Sequence, residues 1–80
     1  MKYQRISFDY LVGITIKYVA NKLHLDLEVT YEQALKKFMA TKTYDLLLSK
    51  KSKLYLESNE YIYNMVQAEY RGDVKTWLEI

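Results

Sequence analysis

Apolar residues recur at helical spacing along the first third of the chain, but they do not keep to one face. Between Arg5 and Leu23, on a wheel of 100° per residue, Tyr10, Leu11, Ile14 and Tyr18 form one stripe. Phe8, Val12, Ile16, Val19 and Leu23 extend it, and only a narrow band carrying Asp9, Gly13, Lys17 and Asn21 stays polar. A helix apolar over more than half its circumference must be covered on several sides, so it is expected at the centre of the protein or in a self-association face. Gly13 falls on the polar band, where it costs about 1 kcal/mol against Ala. Close approach of another segment is its expected role, a kink the alternative.

The period then changes. Leu23, Leu25, Leu27 and Val29 alternate with His24, Asp26, Glu28 and Thr30, a strand pattern. Its one mate would be Lys53-Leu54-Tyr55-Leu56-Glu57, and an isolated two-stranded ribbon is marginal. The segment reads as an extended connector whose leucines enter the core, with a minor β-pair of 23–30 with 53–57 as the alternative.

Helical spacing returns at Thr30. Thr30 and Gln33 have the spacing of a capping box, and the helix that follows is expected to bury Tyr31, Leu35, Phe38 and Met39, with Glu32 and Lys36 paired outside and an end near Thr41. Thr43 is placed to cap a shorter helix presenting Tyr44, Leu47 and Leu48 inward. Ser49-Lys50-Lys51-Ser52-Lys53 reads as a solvated turn. Ser58 caps the next helix, with Glu60 in its first turn and Ile62, Met65, Val66 and Tyr70 as its apolar stripe. Arg71 and Gly72 end it. Asp73 can cap a final turn that folds Trp77 and Leu78 back onto the body. These elements define one all-α domain over residues 1–80: four main helical segments packed around the first. The expected core is Leu11, Ile14, Tyr18, Leu35, Phe38, Leu47, Leu48, Ile62, Met65 and Val66.

Composition narrows the chemistry. Eighty residues bury roughly 60–65% of their unfolded surface, enough for one modest core. Half the residues are hydrophobic and 28% are charged, a balance that folds. No cysteine is present, which removes disulfides, thiolate nucleophiles and cysteine zinc sites; the lack of proline and the two glycines favour long helices. No stretch approaches the ~20 apolar residues that span a bilayer, and Ser7, Asp9, Thr15 and Lys17 interrupt the N-terminal apolar run, so neither a span nor a secretory signal is read and the expected location is cytoplasmic.

His24 is the only histidine, so a metal site would have to assemble from His24, Asp26 and Glu28 on one strand face; an exposed polar edge is the simpler reading. No G-x-G-x-x-G, P-loop or G-x-S-x-G occurs. Glu57 and Glu60 stand near an exposed helix start, where ordinary carboxylates are expected. The reading is therefore non-catalytic, without cofactor or metal.

Two features point to binding. The net charge is only +2, but residues 1–53 hold ten Lys/Arg against five Asp/Glu, while residues 54–80 hold two against five. Lys36, Lys37, Lys42, Lys50, Lys51 and Lys53 are candidate contacts to an anion or nucleic acid. The two short helices joined near Thr41–Thr43 resemble a helix-turn-helix, although the second lacks the Arg, Asn and Gln that read base edges. Lysine alone gives salt-sensitive, sequence-blind binding. The second feature is nine tyrosines, each joining an apolar ring to a hydroxyl, a combination suited to core margins and interfaces. Tyr61 and Tyr63 lie about 200° apart on a helix, so both cannot face the core. Tyr61, Tyr63 and Tyr70 are the candidate protein interface, for a partner or for a second copy in a homodimer.

Phe8-Asp9-Tyr10-Leu11-Val12, Glu28-Val29-Thr30-Tyr31 before Leu35-Lys36-Lys37-Phe38, Tyr44-Asp45-Leu46-Leu47-Leu48 and Glu60-Tyr61-Ile62 follow in an order that resembles a family of short, uncharacterised bacterial helical proteins. Members of that family are often encoded beside ADP-ribosyltransferase-like toxins. The resemblance covers about two thirds of the chain and is one of helix patterning. It implies a small antitoxin-like or accessory binding role. The Lys50–Lys53 turn and the extension from Gly72 to Ile80 depart from the pattern.

Overall fold

A hydroxyl side chain opens every α-helix that the computed structural model describes. It describes residues 7–72, and within them run α1 (Phe8–Leu27), α2 (Tyr31–Met39), α3 (Lys42–Leu47), 3-10 turns at Lys50–Ser52 and Leu54–Leu56, and α4 (Asn59–Tyr70). Ser7, Thr30, Thr41 and Ser58 each accept from the backbone N–H three residues on, at 3.0–3.1 Å. This satisfies one of the donors that each helix start leaves unpaired. At α2 the Gln33 side chain returns a bond to the Thr30 N–H at 3.0 Å, completing the capping box. The cap of α3 is Thr41, not Thr43: Thr41 lies in extended backbone outside the helix, whereas Thr43 is inside it and buried. Gly72, at φ +77°, follows the C-cap Arg71 and stops α4, as the sequence predicts.

No strand occurs among the described residues. The alternating segment continues α1 through Leu27, and the segment expected to pair with it holds the second 3-10 turn. A lone strand there would leave its backbone groups unpaired, and leucine is a strong helix former, so helix wins over the period-2 pattern. Leu23 is buried, while Leu25 and Leu27 point outward. The helix ends because Glu28 turns left-handed at φ 55°, with its N–H on the His24 carbonyl and the His24 Nδ1–H donating to the Val29 carbonyl.

Helix α1 is the centre, with α2, α4 and the second 3-10 turn packed against it and α3 held by α2 and α4. Its inward sector is Val12, Thr15, Val19, Ala20 and Leu23. Val12, Thr15, Val19 and Ala20 are small or β-branched and let neighbouring helices approach closely, which the outward Tyr10 would prevent, while Tyr18 packs against the core from its margin. Of the inward sector, Val12, Val19 and Leu23 join one core cluster with Phe38, Leu47, Leu54, Ile62, Met65 and Val66.

Five of the ten expected core residues are buried: Phe38, Leu47, Ile62, Met65 and Val66. Leu11, Tyr18 and Leu35 are half-buried. Ile14 is 40% exposed because α1 turns the opposite sector inward. Leu48 is exposed too, since it lies one residue past Leu47 and so about 100° around from it. Tyr31 and Met39, at the two ends of the short α2, are also exposed, and Ala34 takes the inward place beside Phe38. A Cβ on Gly13 would meet nothing within 4 Å, so no segment approaches closely there. Asp73, Trp77 and Leu78 lie outside the described residues.

Candidate functional site

Part of the outward side of α1 is apolar, beside the exposed Lys17 and Asn21. Tyr10 is 59% exposed and Ile14 follows one turn later, with Leu11 half-buried beside them. Across from them the second 3-10 turn presents Tyr55 and Leu56, and Leu56 is 62% exposed. Between these two walls runs an open groove of about 310 Å³ whose apolar lining is Leu11, Ile14, Tyr55 and Leu56.

Three contacts hold the groove in shape. The Thr15 hydroxyl donates to Asn59 Oδ1 at 2.7 Å, tying α1 to the start of α4 beneath it. Phe8 meets Tyr55 edge to face, with ring centroids 4.8 Å apart. Lys50 Nζ lies 5.2 Å from the Phe8 centroid, a cation over the outer face of the same aromatic pair.

The Lys50–Ser52 turn is itself well fastened. The Ser52 hydroxyl has its one proton between the carbonyls of Leu46 and Ser49, at 2.6 and 2.9 Å, and its oxygen accepts from the Leu54 N–H at 3.1 Å. Lys53 sits at φ 57° between the two turns. Lys50, Lys51 and Lys53 are exposed, and no Asp or Glu occurs between Leu46 and Leu56. Lys36 and Lys37 are exposed in the last turn of α2, where cations complement the helix dipole. Lys42 opens α3. The six lysines therefore belong to three regions, of which Lys50–Lys53 is the compact one. Helix α3, with six residues, spans only about 9 Å and shows Lys42 and Asp45 as its exposed charges. That is a poor recognition helix.

The tyrosine cluster divides. Tyr61 and Tyr70 are 36% and 45% exposed, whereas Tyr63 is 5% exposed and packs within its own chain. Its hydroxyl donates to Asp26 Oδ2, and Lys22 Nζ lies 5.5 Å from its ring centroid. Burial, and after it the bond to the Asp26 carboxylate, pushes the Tyr63 hydroxyl well above the usual tyrosine range. These side chains line a second, polar cleft of about 270 Å³ between α1 and α4, together with Glu60, Asn64 and Gln67. Tyr63 is thus a fastener between helices, and the exposed aromatic surface is led by Tyr10.

His24, Asp26 and Glu28 do not share a face for a ligand. The first bonds to a backbone carbonyl, the second to Tyr63, and the third ends the helix. Among the described residues no three His, Cys, Asp or Glu side chains are grouped to hold a metal ion, and no helix is long and apolar enough to cross a membrane.

One carboxylate escaped the sequence reading. Glu69 of α4 accepts from the Lys42 N–H at 2.7 Å, the Thr43 N–H at 2.8 Å and the Thr43 hydroxyl at 2.6 Å. It caps a helix 26 residues away in sequence, and nothing local marks it. The groove was equally hidden, because no local pattern marks Leu54–Leu56 as a turn packed across from α1.

No family model matches the chain, and no characterised protein or solved structure matches it either.

Proposed function

We propose that this chain is a small non-catalytic protein-binding module, antitoxin-like or an accessory regulator as its family resemblance implies. One observation carries the reading: Ile14 of α1 and Leu56 of the second 3-10 turn are exposed along a preformed groove, with Tyr10 exposed one helical turn before Ile14. A small protein that leaves its large apolar side chains contiguous and in water marks an interaction surface. In the absence of its partner the same surface pairs two copies, since one patch repeated about a two-fold axis buries itself.

A photo-crosslinking residue introduced at Ile14 or Leu56 in the native host tests this, with Glu32, exposed on α2, as control. Discrete adducts from the first two positions and none from the third are expected. Equal or absent labelling at all three contradicts the proposal. Sedimentation equilibrium reads the self-association arm, where mass above the 9.6 kDa chain should return to the monomer value on Ile14→Ser.

Nucleic-acid binding by residues 36–53 is the second reading, and the exposed, acid-free Lys50–Lys53 turn favours it. Binding to random DNA that falls steeply with salt and is lost on reversing those three lysines would support it; salt-independent or absent binding would remove it.

A further inference from the structure

Resting on the protein-binding reading above, we propose the chemistry of the partner: an acidic segment carrying an apolar anchor, which enters the groove while its carboxylates meet the Lys50–Lys53 turn. The two halves of this surface are physically joined. Lys50 lies over Phe8, Phe8 packs edge-on to Tyr55, and Tyr55 lines the groove, so the cation stands two aromatic rings from the apolar cleft. Lys51 and Lys53 follow in the same exposed stretch, without an acid from Leu46 to Leu56 to neutralise them. The lysines are set on a backbone that Ser52 holds through its contacts with Leu46, Ser49 and Leu54, so little backbone ordering is left to occur on binding.

The lining also gives a direction. Glu57 is the one carboxylate on the groove, and it stands at the end where α4 begins. A partner is therefore oriented with its acids toward Lys50 and away from Glu57. A nucleic acid would satisfy the lysines but offers nothing for Ile14 and Leu56. Between Leu46 and Leu56 there is also no Arg, Asn or Gln to read a base. An acidic peptide with an apolar side chain satisfies both halves.

The experiment pans a random peptide library, displayed on phage, against the full chain, then measures synthetic copies of the enriched peptides by fluorescence anisotropy. The comparison proteins are Leu56→Ser and the combined Lys50→Glu, Lys51→Glu, Lys53→Glu variant, each checked for unchanged helix content by circular dichroism. Enriched peptides should carry Leu, Ile or Phe flanked by Asp or Glu. The lysine reversal should weaken them about tenfold or more, and Leu56→Ser about fivefold, with binding falling as salt rises. Neutral or basic peptides that still depend on Leu56 would overturn the acidic partner and leave the protein-binding reading standing. No enrichment, or peptides indifferent to Leu56→Ser, would overturn both. A single-stranded DNA oligomer or phosphatidylserine vesicles binding as tightly as the peptides, through the lysines but not through Leu56, would also overturn the proposal and assign the charge to that ligand.

Discussion

Helices α1 and α2 solve the same packing problem with different material. Helix α2 is nine residues long, and its polar residues occupy a broad continuous face, so only one orientation keeps Lys36 and Lys37 in water and Phe38 out of it. Helix α1 is twenty residues long and apolar over most of its girth, so hydrophobicity alone does not orient it. Side-chain size decides. The Val12–Thr15–Val19–Ala20–Leu23 sector goes inward because its small residues admit α2 and α4, and the bulkier Tyr10 sector is left outside. The difference teaches where surplus apolar surface resides in a small protein. In α2 no such surplus remains across the middle of the helix. In α1 it remains along one side and becomes the groove wall.

The largest expected effect tests the α2 half of this contrast. Phe38→Ala removes a fully buried ring, edge-on to Tyr44 at 5.2 Å, and should cost about 3–5 kcal/mol by urea unfolding. A loss below about 1 kcal/mol would mean that α2 does not anchor the core. Glu69→Ala comes next. It strips three donors at the start of α3 of their acceptor and should cost about 1–3 kcal/mol, with Glu69→Gln recovering part of it by keeping one acceptor oxygen. Stability unchanged in both variants would contradict that tie.

These two predictions mark what was and was not legible in the sequence. The caps at Thr30 and Ser58, the Gly72 stop and the α4 stripe of Ile62, Met65 and Val66 were readable because their causes lie within four residues of each other. The inward face of α1 was not, because two apolar sectors competed and only their neighbours' shapes separated them. The leucine alternation after Leu23 misled for a related reason: period 2 signals a strand only where a mate exists to complete the hydrogen bonds. The bond between Asp26 and Tyr63 and the Glu69 cap join positions 37 and 26 residues apart, beyond any local pattern. Of the candidate site, the lysine turn was visible as a run of charge. The groove was not, since its walls come from segments more than 40 residues apart.

Smaller effects sharpen the account of α1. Gly13→Ala meets open space in the helix interior and should stabilise by about 0.5–1 kcal/mol, read as a higher urea midpoint; a lower midpoint would reveal a close neighbour after all. The fastening of α1 to α4 should be visible in alkali. The Tyr63 hydroxyl keeps its proton in the folded protein to higher pH than in the unfolded chain. The unfolded state therefore releases that proton first, and stability should be intact below about pH 10 and fall as pH rises beyond it. Tyr63→Phe should be less stable near neutrality, by about 1 kcal/mol for the lost bond to Asp26, and should lose less on going to alkaline pH. Parallel pH profiles for the two proteins would contradict this.

The orientation of α1 carries both the core and the groove, and a matched pair of polar substitutions on its two sides measures it most directly. Val19→Ser and Ile14→Ser place the same small hydroxyl on opposite sectors of one helix, Val19 being fully buried and Ile14 partly exposed. Urea unfolding should show Val19→Ser losing about 2–3 kcal/mol and Ile14→Ser less than about 1 kcal/mol. The reverse order, or equal losses, would mean that α1 presents its Tyr10–Ile14 side to the core, leaving no groove for a partner.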